Sequence, residues 1–162
     1  MASALNLEQR LIGAFPKLAE TNFEVTSEQT DRYNCIAWAA GDNQYWWWPG
    51  RFWPKEVPSA VTKTAFVKAF EQRGYSECAG PEFEQGYEKI CLYTKLGRPT
   101  HAARQLPDGS WTSKLGIQVD ISHELEGLRG NRYGRPSVYM KRPNSCDHAL
   151  EEGAADTGED GT

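Results

Sequence analysis

The run Tyr33-Asn34-Cys35-Ile36-Ala37-Trp38-Ala39-Ala40 has the residue types and order to carry covalent chemistry. Its cysteine stands at the head of a short, apolar, helix-prone segment, just after the polar stretch Ser27-Glu28-Gln29-Thr30-Asp31. Partial positive charge at a helix start favours thiolate over thiol, and a thiolate is the nucleophile of thiol hydrolases and acyl transferases. A base is at hand in Thr100-His101-Ala102-Ala103. His101 could take the Cys35 proton, with a third polar group holding the imidazole. Each residue also has a plain reading: a cysteine in an Ala- and Trp-rich helix can be a small core hydrophobe, and a strand histidine can simply be hydrogen-bonded.

These side chains need elements to position them. Leu5, Leu7, Leu11, Ile12, Ala14 and Phe15 recur at helical spacing, and Pro16 stops that helix. A second helix starts at Asn34 or Cys35, with Asp31 or Asn34 as its cap, and ends at Gly41. The loop 45–54, with Trp46, Trp47, Trp48 and Trp53 among two prolines and a glycine, is irregular. An amphipathic helix over 59–72 follows, capped by Ser59. Strands are expected at 75–78, 89–95, 100–106, 110–115 and 137–141, with a short helix carrying His123 over 120–128. Helices first and an antiparallel sheet afterwards make an α+β fold.

The turn Pro107-Asp108-Gly109 joins the third and fourth strands into a hairpin and decides which residues share the face of His101. A three-residue loop sets Ser113 opposite Ala103 on that face. A loop of Asp108-Gly109 alone exchanges the faces and brings Thr112 and Lys114 there. Ser113 is therefore the preferred third residue, with Asp120, Gln105 and Asp108 as the alternatives. Gln29, six residues before Cys35, is the candidate oxyanion donor beside the Cys35 backbone N–H. Asn34, Trp46, Trp47, Trp48 and Trp111 are the candidates for lining a substrate cleft.

Composition narrows the function classes. A chain of 162 residues suffices for one domain with a real core. The last twelve residues hold five acids and no base; 22 acids less five leaves 17 against 18 bases elsewhere, so the net charge of −4 belongs to the tail. Residues 146–162 are expected to be a disordered acidic tail behind a domain at 1–145. No basic patch suggests nucleic acid. No apolar run approaches the ~20 residues of a membrane span, and residues 1–8 lack the features of a secretion signal, so a cytoplasmic setting is expected. Four scattered cysteines, with no C-x-x-C and no H-x-x-x-H, suggest neither a disulfide framework nor zinc, and no metal or organic cofactor is expected.

The order helix-borne Cys35, strand-borne His101, then a polar residue at Ser113 on the next strand resembles the papain-like superfamily, in particular its compact NlpC/P60-type branch. The chain has Asn34-Cys35-Ile36-Ala37 where that branch usually has Asp-Cys-Ser-Gly. Tyr33 to Ala39 and Trp46-Trp47-Trp48-Pro49 also resemble an uncharacterised bacterial family with Y-N-C-x-A-W-A and W-W-W-P motifs. The resemblance implies a papain-like fold, with N-terminal helices, the nucleophile's among them, on an antiparallel sheet of four to six strands. It implies a cysteine hydrolase or acyltransferase acting on an amide or thioester bond of a peptide, protein or small amide. The alternative is a non-enzymatic module that binds a protein partner through the Trp-rich loop 45–54.

Overall fold

The computed structural model describes residues 2–27, 32–42, 44–115 and 119–144. The elements are α1 (Ala2–Ala14), a 3-10 turn (Pro16–Glu20), β1 (Phe23–Val25), α2 (Cys35–Ala40), α3 (Lys63–Glu71), β2 (Ser76–Cys78), β3 (Tyr87–Lys95), β4 (Arg98–Gln105), β5 (Trp111–Lys114), β6 (Asp120–His123), a second 3-10 turn (Leu125–Leu128) and β7 (Arg135–Pro143). The strands form one seven-stranded sheet in the order β1-β6-β5-β4-β3-β7-β2, and every pairing is antiparallel.

That sheet overturns the papain-like expectation. It has seven strands rather than four to six, and the helices around it are few and short, the Cys35 helix spanning only six residues. Strands β1, β2 and β6 have three or four residues each. Such segments show no alternation of their own and exist through the ladders that neighbours offer them. His123, expected on a helix, is therefore the last residue of β6, held between β5 and β1.

The central strands are buried on both faces. On one side Ile90, Leu92, Ala102 and Met140 pack against α2, α3 and Trp47. On the other, Cys91, Tyr93, Ala103, Trp111 and Ile121 pack against Leu11, Phe15, Leu18 and Leu128. Burying a side chain such as Phe66, Phe70 or Leu92 contributes about 2–3 kcal/mol. Two hairpins fix the register between these layers. Leu96 and Gly97 (φ 53° and 81°) turn β3 into β4, both central residues lying in the left-handed region that a type I′ turn requires. Gly109 (φ 91°) ends the β4–β5 loop, in which Leu106 N–H bonds Ser110 O at 2.8 Å. The loop is thus Pro107-Asp108-Gly109, with Gln105 opposite Trp111 and Arg104 opposite Thr112.

The helices start where side chains take up free N–H groups. Asn34 Oδ1 accepts Ala37 N–H at 3.1 Å and caps α2, which Gly41 ends at φ 89°. Thr62, rather than Ser59, caps α3 by accepting Ala65 N–H at 3.1 Å. Among the described residues no helix is long and apolar enough to cross a membrane. Gln29 and the tail 146–162 lie outside the described residues.

Candidate active site around Cys35 and His101

The Tyr33–Ala39 motif is a joint between α2, the sheet and the tryptophan loop. Asn34, buried, caps α2 and also clamps Trp47: its Oδ1 accepts Trp47 N–H at 3.0 Å, and its Nδ2 donates to Trp47 O at 2.7 Å. Tyr33 donates its hydroxyl to Asp120 Oδ2 at 2.8 Å. Ala37 and Ala39 are wholly buried, where larger side chains would push α2 off β4. Arg104 lies over the Trp38 ring at 4.3 Å and donates to Trp38 O.

Cys35 is the first residue of α2, and its thiol is buried, with 7% of the residue exposed. Burial pushes its pKa up to about 11, while the backbone N–H groups of Ala102, Ile36 and Cys35 itself act in the opposite direction. The Ala102 amide matters because Ala102 is the neighbour of His101. The β4–β5 ladder is confined to Arg104 with Thr112 and Gln105 with Trp111, so the edge of β4 at 101–102 is left to Cys35. His101 points to the other face of the sheet, packing edge-on to Tyr93 and flat under Tyr133 at 4.0 Å. Thiol and imidazole therefore belong to opposite faces of β4. Charge on Cys35 is felt at Tyr133, the ring that covers His101. No hydrogen bond joins Cys35 Sγ to His101.

The imidazole is held by a chain of hydrogen bonds on the hairpin face. His101 Nε2 and Ser113 Oγ are 2.9 Å apart, Ser113 Oγ and His123 Nε2 are 2.7 Å apart, and His123 Nδ1 lies 2.8 Å from Glu124 O. A carbonyl only accepts, so His123 Nδ1 carries a proton. Neutral His123 then accepts from Ser113 through Nε2, and Ser113 accepts from His101 Nε2–H. His101 Nδ1 is left as a bare lone pair, buried and without a hydrogen-bond partner. Both rings are neutral near pH 7: burial, and for His101 also His123, pull the pKa of His101 well below the usual histidine value, and burial brings His123 to about 4.

Of the candidates for the third position, Ser113 alone touches His101. Asp120 is on the opposite face, bonded to Tyr33. Gln105 donates to Pro81 O and Gly109 O, and Asp108 accepts from Ser110 within its turn. The cleft candidates scatter. Trp47 is core and donates to Asp42 at 2.8 Å. Trp48, half-buried, packs edge-on to Phe66, and Trp46 lies under Arg51. Trp111 lines a cleft on the hairpin face, away from α2. Asn34 holds the loop and the helix together rather than lining a cleft. His123 and Tyr133 escaped the sequence reading. The alternation Ile121/His123 was the available signal for the first; a tyrosine in a loop left none for the second. Among the described residues no three of His, Cys, Asp or Glu gather as metal donors.

Tyr133 sits in a tight loop closed by reciprocal bonds between Gly130 and Gly134 of 2.9 and 2.8 Å, and its carbonyl accepts from Thr100 Oγ1. Gly134 has φ 79°, and a Cβ there would lie 1.9 Å from Thr94 O. Both facts demand glycine. Gly134→Ala is expected to cost about 2–4 kcal/mol in urea denaturation, because strain and backbone clash coincide; an unchanged midpoint would refute this account of the loop.

No curated protein and no solved structure matches the chain. A family described as a domain of unknown function, DUF7689, matches residues 24–141, a span that runs from β1 into β7 and includes Cys35, His101, Ser113, His123 and Tyr133. The chain belongs to the DUF7689 family.

Proposed function

We propose that this protein is a cysteine hydrolase or acyltransferase acting on an amide or thioester bond of a peptide, protein or small amide. The supporting observation is the hydrogen-bonded chain from Glu124 O through His123 and Ser113, which leaves bare the Nδ1 of His101, the residue next in sequence to Ala102, whose amide meets Cys35. With Cys35 raised and His101 lowered in pKa, the resting pair is neutral thiol and neutral imidazole, not an ion pair. Proton transfer therefore accompanies attack. His101 takes the thiol proton as Sγ bonds to the acyl carbon. The bond to the leaving group breaks, and the leaving group takes the proton from His101. Water or an amine then attacks the thioester and passes its proton to His101; the C–S bond breaks, and the Cys35 thiolate takes that proton from His101. The N–H groups of Cys35 and Ile36 at the start of α2 face the developing oxyanion. Tyr133 lifts to admit substrate, since Cys35 and His101 are covered at rest.

A cytoplasmic setting fits the unpaired thiols Cys35, Cys78 and Cys91. In the alternative binding module Trp47 is core and Trp48 packs on α3, while Tyr45 and Phe52, stacked at 4.6 Å, remain exposed.

The test uses a small activated ester, p-nitrophenyl acetate, followed by intact-mass and peptide mapping. The expected result is a burst of about one equivalent with the acetyl group on Cys35, absent in Cys35→Ser and cut at least about 100-fold in His101→Gln. Acetylation confined to Cys78, which is less buried, or a burst that survives Cys35→Ser, would sink the reading.

A further inference from the structure

A cleft on the hairpin face is lined by His123 but by neither Cys35 nor His101. It encloses about 900 Å³, at the upper end of the volume of small-molecule sites. Three carboxylates line it, Glu82, Glu124 and Glu126, and among the described residues no lysine or arginine does. Glu126 pairs with Arg129 at 3.3 Å, and Glu124 accepts Asn22 N–H at 3.2 Å; Glu82 is exposed. Four aromatic rings share the lining: Phe23, Phe83, Trp111 and Tyr139. Phe83 is 45% exposed, unusual for so large an apolar ring.

A cluster of acids alone would mean little, because glutamates ordinarily face solvent. The independent observation is Gln105. It lines the cleft and is only 6% exposed. Its Nε2 is occupied by Pro81 O and Gly109 O, two other lining residues. Its Oε1 is buried and accepts from nothing. A buried acceptor without a donor costs free energy that a ligand N–H would recover. Carboxylates, ring faces and an unfilled acceptor together match a donor-rich cation that sits over aromatic rings.

We propose that this cleft binds an organic cation, the guanidinium or ammonium group of an arginine- or lysine-type side chain. The several N–H donors of such a group reach Gln105 Oε1 and one carboxylate together, while its alkyl stem lies along Trp111 and Tyr139. The cleft holds neither Cys35 nor His101, and its test holds in a chain that lacks the thiol.

The probes are acetyl-Gly-Arg-Gly-amide, its citrulline counterpart, and free arginine amide, titrated by calorimetry and by NMR into the full chain and into Cys35→Ser. Citrulline keeps the shape of arginine and removes the charge. The arginine peptide is expected to bind with a Kd of about 1 mM or tighter, the citrulline peptide at least about tenfold more weakly. Glu82→Gln and Glu126→Gln, both surface changes, should each weaken the arginine peptide about two- to fivefold, and Cys35→Ser should leave it unchanged. Arginine amide binding as tightly as the peptide assigns the site to a free amine; weaker binding assigns it to a side chain presented on a peptide. Equal binding of the arginine and citrulline peptides, absence of saturable binding by either arginine probe, or indifference to both glutamate changes would overturn the proposal.

Discussion

Acidifying the protein from pH 6.5 to about 4 is expected to remove roughly 3 kcal/mol of stability through His123 alone. The fold holds His123 neutral, lowering its pKa from 6.5 to about 4, so between those values the unfolded chain binds a proton that the folded chain refuses. Stability therefore rises with pH across that window, is complete above about 6.5, and falls as the pH drops through it. His101 is lowered further and adds in the same direction. A protonated His123 would also turn its Nε2 into a donor facing Ser113, which reverses the polarity of the chain. Glu84 adds a carboxylate effect at lower pH. It pairs with buried Lys89 at 2.9 Å and with Lys141 at 2.7 Å, which hold its pKa below the usual value. Its contribution is present above the unfolded carboxylate pKa and disappears below it. Urea midpoints measured from pH 8 to 4 should fall steeply below 6.5, and His123→Gln should flatten the upper part of the curve. A midpoint constant from pH 7 to 4.5 would refute the neutral, buried histidine pair.

Ser113→Ala is expected to slow acylation of Cys35 by about 10²–10⁴-fold, the range associated with a positioned general base. Ser113 Oγ is the only link between the two histidines. Without it His101 Nε2 loses its acceptor, the proton is free to occupy Nδ1, and the bare lone pair of Nδ1 is no longer secured. A stability loss of about 1–3 kcal/mol should accompany this, because two buried ring nitrogens lose a partner. Since a merely structural serine would also cost stability, the telling readouts are the acylation rate and its pH profile at a temperature where the variant is folded. Ser113→Thr keeps the hydroxyl and should restore most of the rate. Acylation in folded Ser113→Ala at the parent rate would remove Ser113 and His123 from the mechanism.

Parts of this arrangement could be read from the chain because they are local. Asn34 before an apolar run and Gly41 after it mark α2, since capping and a left-handed stop depend on a few neighbouring residues. Pro107-Asp108-Gly109 sets the hairpin register for the same reason, and that register puts Ser113 beside His101. Asp120-Ile121-Ser122-His123 carries a capping pattern that reads equally well as a helix; pairing with Trp111–Lys114 on one side and Phe23–Val25 on the other makes it a strand. The sheet's extent is non-local in the same way, which is why a count of four to six strands fell short of seven. Of the loop tryptophans, some were expected in the core and one or two at a cleft; Trp47, with Trp48 and Trp53 partly buried, packs into the layer formed with α2 and α3, because burying large rings is favourable wherever a concave surface offers itself.

By itself, then, the sequence determined that a cysteine starts a short helix and that a histidine and a serine face each other across a hairpin. Spacing, capping and turn chemistry suffice for those. The tertiary structure decided the rest: that the thiol is covered and protonated, that His123 stands behind Ser113 and settles which nitrogen of His101 is bare, and that Tyr133 covers the His101 ring. Each depends on desolvation or on a partner from another element, and neither is a property of any single segment of chain.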